Sequence, residues 1–167
     1  FLLTLGFLLF IFFSIFFSLK TKRGKDFLDS LVLHLPIIGT MSREVNAART
    51  ARTLSSLISS GVPIVSALET TGDVLQNHYF KDVVDSATKK VELGELLSVS
   101  LNSESQNLYP VFLSEMLSVG EETGKMSEML GNIADYYEAE IDQKTKDLST
   151  IIEPFLMVLM GIAVGIF

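Results

Sequence analysis

Residues 1–19 form an apolar run without a charged side chain, and this run most restricts the structures open to the chain. Nineteen helical residues reach roughly 28 Å, close to the thickness of a bilayer's hydrocarbon core. Phe and Leu would cover every face of such a helix, which leaves no polar stripe for a soluble core helix. A signal peptide would need a basic region before the run and a small-residue cleavage pattern after it, and the run has neither. The run therefore predicts a transmembrane helix.

A basic cluster follows this run directly. Lys20, Lys22, Arg23 and Lys25 lie within six residues of its end. Cations concentrated on one flank of a span indicate the cytosolic side of a membrane. We therefore interpret residues 20–41 as a basic juxtamembrane segment and an entry loop to the following domain, both on the cytosolic side.

A second apolar run, residues 149–167, predicts another transmembrane helix. Glu153 and Pro154 lie near its cytosolic end, where a proline removes a helix hydrogen bond and a carboxylate needs the interface or a partner. Gly161 and Gly165 have the GxxxG spacing that lets two helices approach closely. Because the first residue is phenylalanine and the last run is still apolar where it stops, we expect an excerpt of a longer protein.

The stretch between the two runs, residues 42–148, has ordinary polar content and is acidic. It contains nine Lys and Arg against seventeen Asp and Glu. Nucleic-acid binding needs clustered cations, so this balance argues against it. An acidic surface suits a basic protein partner, and it is also a common means of staying soluble.

Helix starts and stops divide this stretch into short segments. Ser42 and Asn77 can cap helices, Gly61 and Gly94 can end them, and Pro63 suits a first helical turn. The predicted bounds are 42–60, 63–72, 77–93, 95–101, 110–120, and from about 125 into the second apolar run. The predicted fold is all-α: a cytosolic six-helix antiparallel bundle-like domain between two transmembrane helices.

Catalytic motifs are absent from the sequence. It has no GxxxxGK[ST], GxGxxG or GxSxG pattern, and no cysteine for a disulfide or thiolate metal site. His34 and His78 lack ligand or triad spacing. Carboxylates on the last helix, interleaved with Lys144 and Lys146, are interpreted as a solvated face. We expect no enzymatic activity, no cofactor and no metal.

One segment stands out, Gly120-Glu121-Glu122-Thr123-Gly124. If the preceding helix ends at Gly120, two carboxylates follow the negative end of its dipole. They could favour the start of the next helix or pair with a cation, for which Arg49 and Arg52 are the candidates. The segment is either a structural loop or a docking loop for a cytosolic partner.

Blocks of residues between positions 36 and 167 occur in an ordered series. They are Pro36, Gly39, Ala48-Arg49, Arg52-Thr53-Leu54, Gly61-Val62-Pro63, Ala67-Leu68, Asn77, Gly94, Leu101, Pro110, residues 120–124, Leu130, Ala134, Tyr137, Glu140 and Glu153-Pro154. With these blocks the chain resembles the second half of the polytopic inner-membrane platform proteins of type II secretion systems and type IV pilus assembly machines. It departs from the family pattern at Thr50, where an aromatic residue is usual, and at Tyr109, where phenylalanine is usual.

The resemblance implies a protein with two cytosolic helical domains and three spans, located in the bacterial inner membrane. This chain would be the second span, the second domain, with residues 20–148 cytosolic, and the third span. It also implies a non-catalytic assembly role: seating the hexameric secretion or pilus ATPase and feeding pilin-like subunits into a filament. Further implied partners are membrane lipid and other inner-membrane assembly components. The resemblance is also compatible with a homo-oligomer.

Two other functions compete with this one. A transporter or channel subunit would need polar residues that line a path through the membrane. The sequence offers only Glu153 for such a path. A membrane-anchored receptor would need a ligand-binding or phosphoacceptor module, and no such module is recognisable.

Overall fold

The computed structural model describes residues 29–33, 35–105 and 107–166, and within them it contains helices and no strands. The helices are α1 (Ile38–Ser59), α2 (Ile64–Val74), α3 (His78–Glu92), α4 (Leu97–Glu104), α5 (Val111–Thr123) and α6 (Met126–Ile166). Residues 29–33 are also helical. The all-α prediction is confirmed. The predicted first span, most of the basic segment and His34 lie outside the described residues.

Each helix packs against the next one in the chain, and α1 packs along α6 to close the ring. Because the first and last helices make the most extensive contact, the chain ends of the domain are joined side by side. Helices with one apolar stripe bury that stripe best in such an arrangement. The largest fully buried side chains include Leu54, Leu68, Phe80, Leu113 and Ile133. Burying each of them contributes about 1.5–3 kcal/mol.

The predicted cap of α3 is confirmed. The Asn77 side-chain oxygen accepts a hydrogen bond from the Tyr79 backbone N–H at 3.0 Å. An N-cap of this kind satisfies one of the donors that a helix start leaves unpaired.

The predicted start of α1 at Ser42 is wrong, because the helix begins four residues earlier, at Ile38. Ser42 lies inside the helix, and its carbonyl accepts a hydrogen bond from the Asn46 side chain at 2.7 Å. The first turn packs beneath residues 29–33, where a side chain at Gly39 would collide with the Leu33 carbonyl. This packing determines where the helix begins, and a capping residue in the local sequence does not indicate it.

The predicted end of α5 at Gly120 is also wrong, because the helix continues to Thr123. Gly124 has φ +68°, in the left-handed region that glycine adopts without strain. The Lys125 N–H donates to the Gly120 carbonyl at 2.9 Å, which closes the turn in the manner of a glycine C-cap. The stop signal is therefore the second glycine of the segment rather than the first.

Helix α6 contains 41 residues and continues through Pro154 without interruption. A helix of this length extends roughly 60 Å. Among the residues that the structure describes, no helix is both long enough and apolar enough to cross a membrane. Many side chains after residue 148 lie outside the described part, so the span predicted over 149–167 stays a prediction.

Candidate functional site

The predicted segment 120–124 forms the last turn of α5 and its cap, and its first carboxylate reaches a neighbouring helix. One Glu121 oxygen accepts a hydrogen bond from the Leu97 N–H at 2.6 Å. The other accepts one from the Ser98 N–H at 3.1 Å and a second from the Ser98 hydroxyl. Because α4 has no side-chain cap of its own, Glu121 caps it from 24 residues away.

The other members of the segment divide into packed and exposed positions. Gly120 is buried, and a Cβ there would lie 3.0 Å from the Met126 Cα and 3.2 Å from the Met129 Cβ. The glycine therefore allows α5 and α6 to approach closely. Glu122 and Thr123 are exposed. Gly120, Glu121 and the Gly124 cap thus shape the corner between α4, α5 and α6, while the chain from Glu122 to Gly124 is exposed.

Arg52 makes its ion pairs with α6 rather than with the segment 120–124. Its guanidinium donates to the two Glu138 carboxylate oxygens at 3.0 and 2.7 Å, and to Asp135 at 2.5 Å. The hydrogen bond to Glu138, followed by that to Asp135, raises the pKa of Arg52 above its ordinary value. Two carboxylates that the sequence indicated as a solvated face therefore connect α1 to α6.

Arg49, one turn before Arg52, is half-buried and has no ion pair or hydrogen bond to any described residue. It lines a cavity of about 540 Å³ between α1 and α6, together with Val45 and Ile141. It also lines a second cavity, of about 670 Å³, with Asp29 and Val45. The two candidate cations thus have different roles, since one joins two helices and the other borders open space.

A second ion pair between α1 and α6 was not predicted. Lys144 donates to Glu44 at 2.5 Å and lies 3.2 Å from Glu140. Glu44 is only 8% exposed, so burying its carboxylate would be costly without this partner. The hydrogen bond to Glu44 is the main cause that raises the pKa of Lys144. Glu140 and Lys144 are four residues apart on one helix, a spacing that allows their pair, whereas no local spacing relates Lys144 to a residue 100 positions away.

The two departures from the family pattern contact each other. The Thr50 and Tyr109 hydroxyls form a buried hydrogen bond of 2.8 Å. The Tyr109 ring packs edge-on against Phe80 at 5.2 Å, and burial raises the pKa of its hydroxyl. A small polar residue at 50 gives the additional hydroxyl at 109 both space and a partner, as a buried hydroxyl requires.

The remaining predicted positions lie on the distal part of α6. Pro154 is exposed within the helix, and the Glu153 side chain lies outside the described part. A Cβ at Gly161 would meet no atom within 4 Å, so this side of the helix is open in the described chain. Gly165 also belongs to α6, but its surroundings are not among the described features.

Comparison with known proteins decides the family. Residues 50–167 match the family described as type II secretion system (T2SS), protein F. The match covers more than half of the chain. The chain belongs to the type II secretion protein F family.

Relatives of this family come from both secretion and pilus systems. The type IV pilus assembly protein PilC of Thermus thermophilus is 36% identical over 156 residues, which cover 91% of this chain and 38% of the relative. PilC of Myxococcus xanthus is 38% identical over 92% of this chain and 36% of its own length. Type II secretion system protein F of Aeromonas hydrophila is 33% identical over 86% and 36%, respectively. The chain therefore spans a little over a third of the length of these curated relatives.

No cluster of acidic or histidine side chains suited to a metal ion occurs in the part of the chain that the structure describes. His78 lies 3.0 Å from Asp29 through its Nδ1 atom and stacks near Tyr79. Its observed contacts connect the residues before α1 to the start of α3. The side-chain contacts described above therefore join elements of the domain to one another.

Proposed function

We propose that this chain is the second cytosolic domain, with flanking membrane helices, of an inner-membrane platform protein in a secretion or pilus machine. In this role it seats the cytosolic assembly ATPase and couples it to the assembly of pilin-like subunits. The family membership supports an assembly role in either kind of system. The relatives' names do not distinguish between the two systems for this chain.

The observation that carries the coupling proposal is the continuity of α6. One helix contributes Leu130, Ile133 and Ala134 to the domain core and then continues into the apolar region after residue 148. A continuous helix transmits rotation and displacement along its axis, whereas a flexible linker does not. Movement imposed on the acidic domain would thereby reach the predicted second span.

The domain end of α6 is also firmly attached. Arg52 and Glu44 of α1 each bind α6 through an ion pair, and the two pairs lie about two turns apart along the helices. Ser55 and Ser127 exchange hydrogen bonds with each other's backbone carbonyl near the start of α6. A force on the domain would therefore move α1 and α6 together.

A matched pair of insertions after Thr150 tests the coupling. Seven alanines keep the helix continuous and shift the register by only about 20°. Seven residues of glycine and serine break the continuity at the same length. We expect the glycine–serine insertion to abolish filament assembly or secretion, and the alanine insertion to retain a substantial part of it.

Both variants should reach the membrane in the same amount as the parent, measured by fractionation and immunoblotting. Normal assembly by the glycine–serine variant would contradict coupling through α6. ATPase binding is examined separately, by co-purification with the full-length membrane-inserted protein. If no ATPase co-purifies with a correctly inserted protein, the platform proposal fails, whatever the insertions show.

A further inference from the structure

The domain exposes a group of apolar side chains around α5. We define the α5 face by Val99, Val111, Phe112, Glu115 and Tyr136. Four of these are apolar or aromatic, and their exposed fractions are 49% for Val99, 65% for Val111, 38% for Phe112 and 51% for Tyr136. Large exposed apolar side chains that cluster in this way mark interaction sites more often than isolated ones do.

The α5 face has a defined shape. Val99 and Val111 are the apolar residues of a groove of about 460 Å³ between α4 and α5, whose other lining residues are polar: Ser98, Asn102, Ser103, Ser114, Glu115 and Ser118. On the side of α5 that is next to α6, the Phe112 ring lies 5.2 Å from Tyr136 and 6.3 Å from the buried Tyr137. Tyr137 also packs against Tyr136 at 5.1 Å, which holds the exposed rings in place. Aromatic anchors fixed before binding lose little side-chain entropy when a partner arrives.

The charged side chains on the two helices that form the groove have one sign. Helices α4 and α5 carry four glutamates and no lysine or arginine. Glu121 is used in capping α4, and Glu104 pairs with Lys90 at 2.8 Å. Glu115 and Glu122 are exposed and have no cation partner among the described residues. They lie seven residues apart on α5, two turns and roughly 10 Å along one side of the helix.

We propose that the α5 face is a docking surface for a basic amphipathic helix of another protein. The apolar side chains of that helix, spaced three and four residues apart, would contact Val99 and Val111 at the groove and the rings of Phe112 and Tyr136. Lysines or arginines on the flank of that helix would reach Glu115 and Glu122. This surface complements such a segment in both hydrophobicity and charge.

The same charges disfavour the other occupants. A second copy docked through this face would bring two sets of unpaired carboxylates together, which costs energy. An anionic lipid surface would repel them for the same reason. The inference does not depend on the proposed platform function, because it specifies the chemistry of the partner and not its activity.

Photo-crosslinking of the full-length protein in its native cells tests the proposal. A benzophenone amino acid replaces Phe112 in one strain and Tyr136 in another, and mass spectrometry identifies the crosslinked peptide. The matched control carries the same group in place of Val74, which is 44% exposed on α2, a helix that packs mainly against α1 and α3. We expect both α5-face positions to capture one protein segment with net positive charge and apolar residues at helical spacing.

A charge variant checks the electrostatic part. Glu115→Lys combined with Glu122→Lys should lower the crosslinking yield roughly five-fold or more, because repulsion replaces attraction. Both residues are exposed, and equal circular dichroism spectra of the variant and parent would show that the fold persists. Crosslinks to a second copy, to lipid or to a segment without positive charge would overturn the proposal. So would a yield at Phe112 no higher than at Val74.

Discussion

Two contact regions hold this domain together in different ways. At the corner between α4 and α5, a single carboxylate, Glu121, binds two backbone N–H groups and one hydroxyl of α4. At the α1–α6 interface, Arg52 and Glu44 form several ion pairs with side chains of α6. The corner joins residues about two dozen positions apart, whereas the interface joins residues 83–100 positions apart.

The two regions differ in the free-energy cost of losing a contact. A side-chain ion that loses its partner at an exposed position can return to water at little cost. A backbone N–H at the start of a packed helix has no such freedom, because its position is set by the helix. We therefore expect stability to depend on Glu121 more than on any single ion pair of the α1–α6 interface.

The largest effect is expected for Glu121→Ala. The substitution leaves the Leu97 and Ser98 N–H groups and the Ser98 hydroxyl without their acceptor, at a cost of about 2–3 kcal/mol in the free energy of unfolding. Glu122→Ala is the matched control, because the Glu122 carboxylate is next to Glu121 in sequence but is exposed. We expect this control to change the free energy of unfolding by less than about 0.5 kcal/mol. Urea unfolding of the full chain in a mild detergent measures both. Equal effects at the two positions would show that the Glu121 cap of α4 contributes no more than an exposed carboxylate.

An intermediate effect is expected for Lys144→Met. The change leaves the nearly buried Glu44 without its cation, and it should cost about 1–2 kcal/mol because water still reaches the partly exposed position 144. The pKa of Lys144 is raised in the folded protein. Its stabilisation is therefore complete below the ordinary lysine pKa of about 10.5 and is lost as the pH rises through the higher folded pKa.

The difference in stability between parent and Lys144→Met should consequently shrink above about pH 10.5, which urea titrations at neutral and alkaline pH would measure. A difference that stays constant up to pH 12 would show that packing of the lysine stem, rather than its charge, accounts for the effect.

The smallest effect is expected for Arg52→Ala. The Arg52 side chain is 44% exposed, and the side chains of Asp135 and Glu138 are still more exposed. The free energy of unfolding should therefore fall by only about 0.5 kcal/mol, despite the bidentate hydrogen bonding to Glu138. Arg49→Ala removes an arginine from the same helix without breaking an ion pair to any described residue. Its effect should be smaller still, and it should not depend on salt. A loss above 2 kcal/mol for Arg52→Ala would place the interface on a level with the corner.

Much of the helical layout was predictable because its signals are local. Asn77 caps α3, Gly94 follows α3, and Pro110 precedes α5. These residues act through backbone dihedral angles and hydrogen bonds within a few positions, so their effect can be recognised without the rest of the fold. Three boundaries could not be placed this way: the start of α1, the end of α5, and the end of α4, which lies at Glu104 rather than at the predicted Leu101. The start of α1 depends on the packing of residues 29–33, and the end of α5 on which of two glycines adopts the left-handed conformation.

The candidate site was predictable only in part. Its residues were singled out by an unusual pair of carboxylates between two glycines, but their partners could not be assigned. Glu121 binds α4 rather than Arg49 or Arg52, and Arg52 binds α6. Both partners lie far along the chain, and no periodicity within one helix relates them.

The Thr50–Tyr109 hydrogen bond shows the same limit from the other direction. Each residue was recognisable as a departure from the family pattern, and each alone suggested little. Only the packing of α1 against the chain before α5 brings their hydroxyls within 2.8 Å in the core.

From the order of its residues alone, then, the chain could be assigned to an all-helical class, divided into helices and placed in a family. Those properties follow from interactions between residues close in sequence and from blocks in a recognisable order. The partners of Glu121, Arg52 and Glu44, and the exposure of Phe112 beside Tyr136, were decided by tertiary structure. Contacts between helices depend on how the entire ring closes, and a linear pattern does not contain that geometry.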